Sequence, residues 1–259
     1  MALKNIFMMK LCIYLYRLLT LLVPTLASPS KALEPRGASQ CGQYSSISTG
    51  TFTIASNEWG ASYGSGSQCS QINSLSGSSL AWQTTWTWAN NPNNVKSYTN
   101  VESSTTSCKQ LSTYKTIPTV WSWSYSGSAL RANVAYDTFV GTSCTGAQAY
   151  EVMVWLGDFG GVSPLSDNGY PPTPTATPTI GNTAFNLIVG TNAATTVYSF
   201  VAQKNATSYS GDLLAFYEYL ETNEGLPSSD YLQTIQAGSE VFTGSGAEFL
   251  TTAYAISSS

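Results

Sequence analysis

The sequence predicts an all-β fold, a sandwich or jelly roll of antiparallel strands. Three observations carry that prediction. Charged residues make up only 9% of the 259 positions, while Ser, Thr, Gly, Asn and Tyr abound, a balance that suits strands joined by many turns rather than surface helices. Apolar and polar residues alternate over short runs, the period-2 pattern of half-buried strands. The runs are regularly spaced and separated by Gly, Ser, Asn and Pro, the residues that form turns.

The first residues read as an address rather than as structure. Lys4, Lys10 and Arg17 supply positive charge, Leu18 to Leu26 an apolar run, and Thr25-Leu26-Ala27 a small-residue exit site, so residues 1–27 are expected to be a secretory signal peptide. The apolar run is too short to span a bilayer, and no membrane association is expected. Residues 28–37 read as a short pro-segment cut after Arg36, and residues 38–259 as a single domain. Cys12 leaves with the signal. Cys41, Cys69, Cys108 and Cys144 remain, an even number expected to pair in an oxidising, extracellular compartment. Four cysteines permit three pairings. Cys41–Cys69 and Cys108–Cys144 are favoured because each closes a local loop. Asn205-Ala206-Thr207 is a glycosylation acceptor, in keeping with secretion.

Along the mature chain, Thr51 to Ser56 alternates as a strand. Asn57-Glu58-Trp59-Gly60 follows, then a turn-rich run from Ser62 to Ser70. Leu80 to Trp88 is a strand with Trp82, Trp86 and Trp88 at even spacing, a set expected to divide between core and surface. Asn90 to Asn94 is a turn. Val95 to Val101, Lys115 to Pro118, Val120 to Tyr125 and Leu130 to Phe139 follow as strands. In Tyr150 to Leu156, Tyr150, Val152, Val154 and Leu156 share one face suited to a core, while Glu151, Met153 and Trp155 share the other. The Pro- and Thr-rich stretch Tyr170 to Thr179 reads as a loop within the domain, since strands Phe185 to Val189 and Thr196 to Gln203 resume at once. Ser210 to Asn223 breaks the pattern. Leu213, Phe216 or Tyr217, and Leu220 recur at helical spacing, Ser210 can cap the start, Asp212 favours the first turn and Gly225 follows the end. One amphipathic helix packed outside a sheet is expected. Tyr231 to Phe242 and Phe249 to Ile256 close the chain as strands.

The chain has no His, which removes Ser-His-Asp triads, Cys-His dyads and ordinary His-bearing zinc sites. Acid–base chemistry must then come from carboxylates. There is no basic patch, so nucleic acid is not an expected partner. Neither a metal site nor a cofactor motif is visible. Glu151 beside a thioether and an indole is a poor solvent face and a plausible floor for a cleft, where its ionisation would be tuned. Gln236, Gly238, Glu240 and Phe242 share a face and repeat that arrangement, and Asn133, Ala135 and Asp137 share a third. Glu248, beside Phe249, sits in a similar setting, and Glu218, Glu221 and Glu224 read as a solvated helix face. Three strands that each offer a polar or acidic group point to carboxylate-pair chemistry. Of the seven tryptophans, Trp59 and Trp155 are the two expected in a cleft, since large aromatics more often fill a sandwich core than serve as sugar platforms.

Seven motifs, in order, resemble glycoside hydrolase family 12. They are Asn57-Glu58-Trp59-Gly60, Val95-Lys96-Ser97-Tyr98, Trp123-Ser124-Tyr125-Ser126-Gly127, Ala132 to Asp137, Glu151 to Leu156, Tyr209-Ser210-Gly211-Asp212 and Gly238 to Gly244. The resemblance implies a β-jelly roll of two curved antiparallel sheets with an open cleft for a β-1,4-linked glucan. It implies Glu151 as nucleophile, Glu240 as general acid/base, Asp137 as a supporting acid and Met153 lying against the nucleophile. Asn57, Trp59 and Asn133 match residues that line sugar subsites, and Trp155 and Phe242 are expected with them. Two departures are Glu58, where an apolar residue is common, and Ser239-Glu240-Val241, where Thr-Glu-Pro is usual. The Val in place of Pro is expected to relax the backbone after Glu240. Gln236-Ala237-Gly238 and Phe159 to Pro164 look more like the xyloglucan-preferring branch. The implied protein is a secreted, monomeric, retaining endo-β-1,4-glucanase without cofactors. A preference for unbranched or mixed-linkage glucan, or a non-catalytic carbohydrate-binding jelly roll, stays open at this point.

Overall fold

The computed structural model describes residue 37 and residues 39–259. The expected signal peptide and all but the last residue of the expected pro-segment lie outside the described residues. In chain order the strands are β1 (Ser46–Thr49), β2 (Phe52–Ala55), β3 (Ser65–Ser76), β4 (Ser79–Ala89), β5 (Ser97–Ser103), β6 (Lys109–Gln110), β7 (Pro118–Gly141) and β8 (Gln148–Phe159). Then come β9 (Thr179–Ile180), β10 (Thr183–Asn192), β11 (Thr195–Ala202), β12 (Ser208–Asp212), helix α1 (Leu214–Asn223) and β13 (Tyr231–Ile256).

Two long strands organise everything else. The first half of β13 pairs with β5 and with the second half of β7, and β8, β11, β10 and β9 continue outward from there. The second half of β13 pairs with β4 and with the first half of β7, with β3 and β12 outside them. Each long strand therefore runs through both layers of a jelly roll. The pairs are antiparallel except β8 with β11, which run parallel, a departure from the wholly antiparallel expectation.

The composition explains the layers. Val152, Val154 and Leu156 of β8 enter the main core, as the alternation predicts, while Met153 and Trp155 form a separate small cluster with Ala135, Val162 and Phe242 on the opposite face. Trp82 stacks on Trp121 at 6.1 Å between ring centres, with Tyr254 5.6 Å from each. Aromatic pairs in such offset and edge-on arrangements add to their burial energy. Helix α1 caps the far side, its Phe216 ring 5.2 Å from Phe185 and 5.0 Å from Phe200.

Several elements differ from the sequence expectation. The run Ser62 to Ser70 is not a turn region, because β3 begins at Ser65 and pairs along β4 for its full length. Val120–Tyr125 and Leu130–Phe139 are one strand, and so are Tyr231–Phe242 and Phe249–Ile256. Left-handed Gly127 and Ala129, and register shifts around Ser245, bend those strands without ending them. Of the expected strand Lys115 to Pro118 only Pro118 is strand, as the first residue of β7, and β5 starts two residues after Val95. The helix starts at Leu214 rather than after Ser210, because Ser208–Asp212 is claimed by β12 as an edge on β7. Asp212 Oδ1 accepts the backbone N–H groups of Leu214 (3.0 Å) and Ile117 (2.7 Å), so it fastens the helix start to the sheet. Trp82, Trp86 and Trp88 are all buried rather than divided, since even spacing puts them on one face. The Tyr170–Thr179 stretch hydrogen-bonds back to β10 through Thr175 and Leu187, as a loop of the same body.

Both expected disulfides form, Cys41–Cys69 and Cys108–Cys144.

Candidate active site

Three neighbouring strands supply the carboxyl groups. The register sets Gln236 of β13 opposite Asp137 of β7, Asp137 opposite Met153 of β8, and Phe139 opposite Glu151. Glu240 lies opposite Tyr98 of β5. Gly238, between Gln236 and Glu240 on the same face, is required by close approach: a Cβ there would stand 2.1 Å from the Thr99 carbonyl oxygen.

Two cavities meet on this face. One, of about 390 Å³, is lined by Asn57, Trp59, Tyr98, Asp137, Glu151 and Gln236, among others. The second, of about 690 Å³, is lined by Val95, Arg131, Trp155, Val162, Tyr170 and Phe242, among others. Glu240 lines both, at their junction. The expected groups Asn57, Trp59, Asp137, Glu151, Glu240, Trp155 and Phe242 thus come together. Trp59 is 47% exposed, whereas Trp155 is buried, its Nε1–H donating to the Met153 sulfur at 3.4 Å. Met153 packs beneath the floor in the same small cluster.

Asn133 is placed differently from the expectation of a sugar-contacting residue. It is fully buried and lines neither cavity. Its Nδ2 donates to Glu240 Oε2 at 2.5 Å, and its Oδ1 accepts the Glu240 backbone N–H at 2.8 Å. Ser239 Oγ donates to the Asn133 carbonyl (2.6 Å) and meets Tyr125 Oη at 3.0 Å, which in turn accepts the Trp86 indole N–H at 2.8 Å. The side chain and backbone of Glu240 are therefore held from behind. At the departure Val241, the backbone carbonyl accepts the Lys96 N–H at 2.7 Å.

The electrostatics follow from burial. Desolvation first, and the charge of Glu151 second, raise the Glu240 carboxyl to about 7, while the Asn133 amide pulls it down. Burial raises Glu151 to about 6. Asp137 is driven well above the usual carboxylate range by burial and then by Glu151 and Glu240, and its Oδ1 has no hydrogen-bond partner among the described residues. A buried acid and two half-buried ones whose charges raise one another's proton affinity are not all charged at once. The arrangement can hold one carboxylate beside a protonated carboxyl group, as acid-assisted nucleophilic chemistry needs.

Tyr98, buried with its hydroxyl donating to the Ala135 carbonyl at 3.0 Å, lines the smaller cavity and was legible only as part of a motif. Arg131 and Tyr170 of the larger cavity gave no sequence signal. Glu248 does not join the site; it lines a separate groove with Ser67, Thr85 and Ser126. Glu58 is buried, with Oε1 unpartnered among the described residues, and lines neither cavity.

Comparison with known proteins identifies the family and the fold. Residues 50–258 match the family model described as Glycosyl hydrolase family 12. The xyloglucan-specific endo-β-1,4-glucanase A of Aspergillus aculeatus is 44% identical over 241 residues, spanning 93% of this chain and 99% of that protein. Among solved structures, endoglucanase 3 of Trichoderma harzianum superposes with a TM-score of 0.81 at 37% identity, over 87% of this chain and 99% of that one. A catalytic domain from Humicola grisea, complexed with a soaked thio-cellotetraose, gives 0.79 at 30% identity, over 86% of this chain and 99% of its own.

Proposed function

Since this chain belongs to glycosyl hydrolase family 12, we propose that it is a secreted, retaining endo-β-1,4-glucan hydrolase whose preferred substrate is xyloglucan. The observation that carries the reading is the position of Glu240 between two cavities, one of which holds Glu151 and the other no further carboxylate. An endo-acting enzyme needs sugar sites on both sides of the bond it breaks, and the proton donor belongs at the boundary.

Glu151 attacks the anomeric carbon of the sugar seated in the smaller cavity. Glu240, protonated at the outset, gives its proton to the glycosidic oxygen, and the leaving chain departs through the larger cavity. Glu240, now a carboxylate, takes a proton from water, whose oxygen displaces Glu151 with net retention. Such a double displacement requires the two carboxyl groups to be about 5 Å apart. Burial and the charge of Glu151 favour a protonated Glu240. Burial and the charges of Glu151 and Glu240 drive Asp137 well above the usual carboxylate range, which favours its neutral form and leaves Glu151 as the charged member. Asn133 acts as a positioning residue for Glu240. The exposed indole of Trp59 suits the apolar C–H face of a glucose ring.

The xyloglucan assignment draws on the Aspergillus aculeatus relative and on the larger cavity, of about 690 Å³ with small residues Gly161 and Ser163 in its lining, which offers room for a branched chain. The two disulfides support secretion, as they persist in oxidising compartments.

The test is reducing-end release by the mature protein on xyloglucan, carboxymethyl cellulose and mixed-linkage β-glucan, with Glu151→Gln and Glu240→Gln alongside. Release mainly from xyloglucan, lost in Glu151→Gln, is expected. Release mainly from unbranched glucans overturns the substrate assignment alone. Polymer binding without hydrolysis overturns the enzymatic reading.

A further inference from the structure

Arg131 stands in the wall of the larger cavity, yet its guanidinium is spent on protein. Nε donates to the Pro92 carbonyl at 3.0 Å, Nη2 to Asn93 Oδ1 at 3.0 Å, and Nη1 to the Gly160 carbonyl. One planar fork thus ties together the 90–95 turn and the 160–165 loop, and both contribute lining to the cavity through Asn93 and Val95 on one side and Gly161 to Leu165 on the other.

Each tied segment is braced a second time. Lys96 is wholly buried, and its ammonium donates to the carbonyls of Asn91 (2.8 Å) and Asn94 (2.6 Å), which fixes a turn whose Asn90 and Asn91 are left-handed. The Lys96 backbone bonds Val241, the residue after Glu240. On the other segment, the start of the loop is pinned to the strand that carries Arg131. Gly160, at φ +71°, sits so close to the Arg131 strand that a Cβ would lie 2.3 Å from the Leu130 carbonyl oxygen. The two walls have no strand pairing with each other among the described residues; Val95 and Val162 share one small apolar cluster, and Arg131 is the hydrogen-bonding tie between the two segments. A lysine has one point charge and no fork, so it cannot reproduce three donors aimed at two segments.

We infer that Arg131 is the positioning residue that fixes the width of the leaving-group half of the cleft, and so sets how well a branched glucan chain is held beyond the bond that breaks. The inference rests on the functional reading above. It touches neither the carboxylates nor the smaller cavity, and its signature is a loss confined to substrates that fill the larger cavity.

The experiment compares kcat/KM on xyloglucan with kcat/KM on an aryl β-cellotrioside, whose leaving group is a single aromatic ring. The proteins are wild type, Arg131→Met, Arg131→Lys and Asn93→Ala, each with its thermal midpoint recorded. The expected result is a fall of about tenfold or more in the polymer-to-aryl ratio for Arg131→Met, carried mainly by KM for the polymer, because a wall displaced by an ångström costs on that order or more. Arg131→Lys is expected to restore little of it. Asn93→Ala, which removes one of three acceptors, is expected to lower the ratio by about threefold, and it carries the test if Arg131→Met does not fold. Equal losses on both substrates, or an unaltered ratio in Asn93→Ala and Arg131→Lys, overturn the inference while leaving the functional reading intact. A wild-type protein inactive on both substrates overturns that reading, and the inference with it.

Discussion

Asn133→Ala is the sharpest probe of the catalytic proposal, because one side chain makes both contacts that hold Glu240. The substitution removes the donor to Glu240 Oε2 and the acceptor of the Glu240 N–H. A donor to a carboxylate favours its charged form, so its loss leaves Glu240 protonated to higher pH. A hydrogen bond to a charged group is worth roughly 1.5 kcal/mol or more, and 1.36 kcal/mol corresponds to one pH unit. The basic limb of the kcat/KM profile should therefore move up by about one pH unit from its wild-type position. A Glu240 no longer oriented should also lower kcat by roughly 10- to 100-fold. The buried N–H left without a partner costs on the order of 1–3 kcal/mol, a fall of roughly 5 °C in Tm for a domain of this size. Asn133→Asp sharpens the comparison. It retains an acceptor for the N–H but sets a third acid against Glu240, so the limb should move further upward. The assay is initial rate on xyloglucan from about pH 4 to 9, with melting followed in parallel. A profile superimposable on wild type with kcat unchanged would show that Glu240 is not the proton donor.

Two other predictions follow from the same residues. Burial holds Glu240 at about 7 and Glu151 at about 6 against an ordinary 4.5, so between those values the native chain binds more protons than the unfolded one. Stability from these groups is full below the ordinary value and is lost as pH rises through the folded values. Glu240 alone accounts for about 3 kcal/mol, so Tm should fall by roughly 10 °C between pH 4.5 and 8. In Glu240→Gln the fall should be visibly shallower, and an equally steep one counts against the assignment. Trp59→Ala removes an exposed platform that fills no core. It should raise KM on glucan by about tenfold, as loss of one stacking contact of about 1.4 kcal/mol would, with Tm shifted by less than about 2 °C. A large drop in Tm would mean that the indole is structural instead.

Much of this was legible in the sequence, and the legible part has one physical source. Side-chain alternation along a strand is a local property of period two. It put Val152, Val154 and Leu156 into the core and turned Glu151, Met153 and Trp155 the other way before any partner strand was known. The same period set Gln236, Gly238 and Glu240 on one face, and the absence of His restricted the chemistry to carboxylates. The apolar spacing of Leu213, Phe216, Tyr217 and Leu220 likewise located the helix, though not its first residue, since Ser210 and Asp212 have a strand partner in β7 that outcompetes the cap.

What only the tertiary structure decided depends on partners distant in sequence. Ser62 to Ser70 reads as turn-rich by composition, yet from Ser65 the chain is strand because β4 offers its backbone groups a ladder. Strand propensity is largely a measure of such surroundings. The gaps between expected strands, residues 126–129 and 243–248, do not end the strands and instead bend β7 and β13 from one layer into the other. Asn133 is an ordinary polar position until the register of β7 against β13 aims its amide at Glu240, which lies 107 residues away. Arg131 acquires its place only when the 90–95 turn and the 160–165 loop arrive on either side of one guanidinium. Sequence determined which residues carry the chemistry and which face they take, because those are local properties. The fold alone decided how the acids are tuned and how the cleft is held open, because burial and long-range hydrogen bonds exist only once the layers have closed.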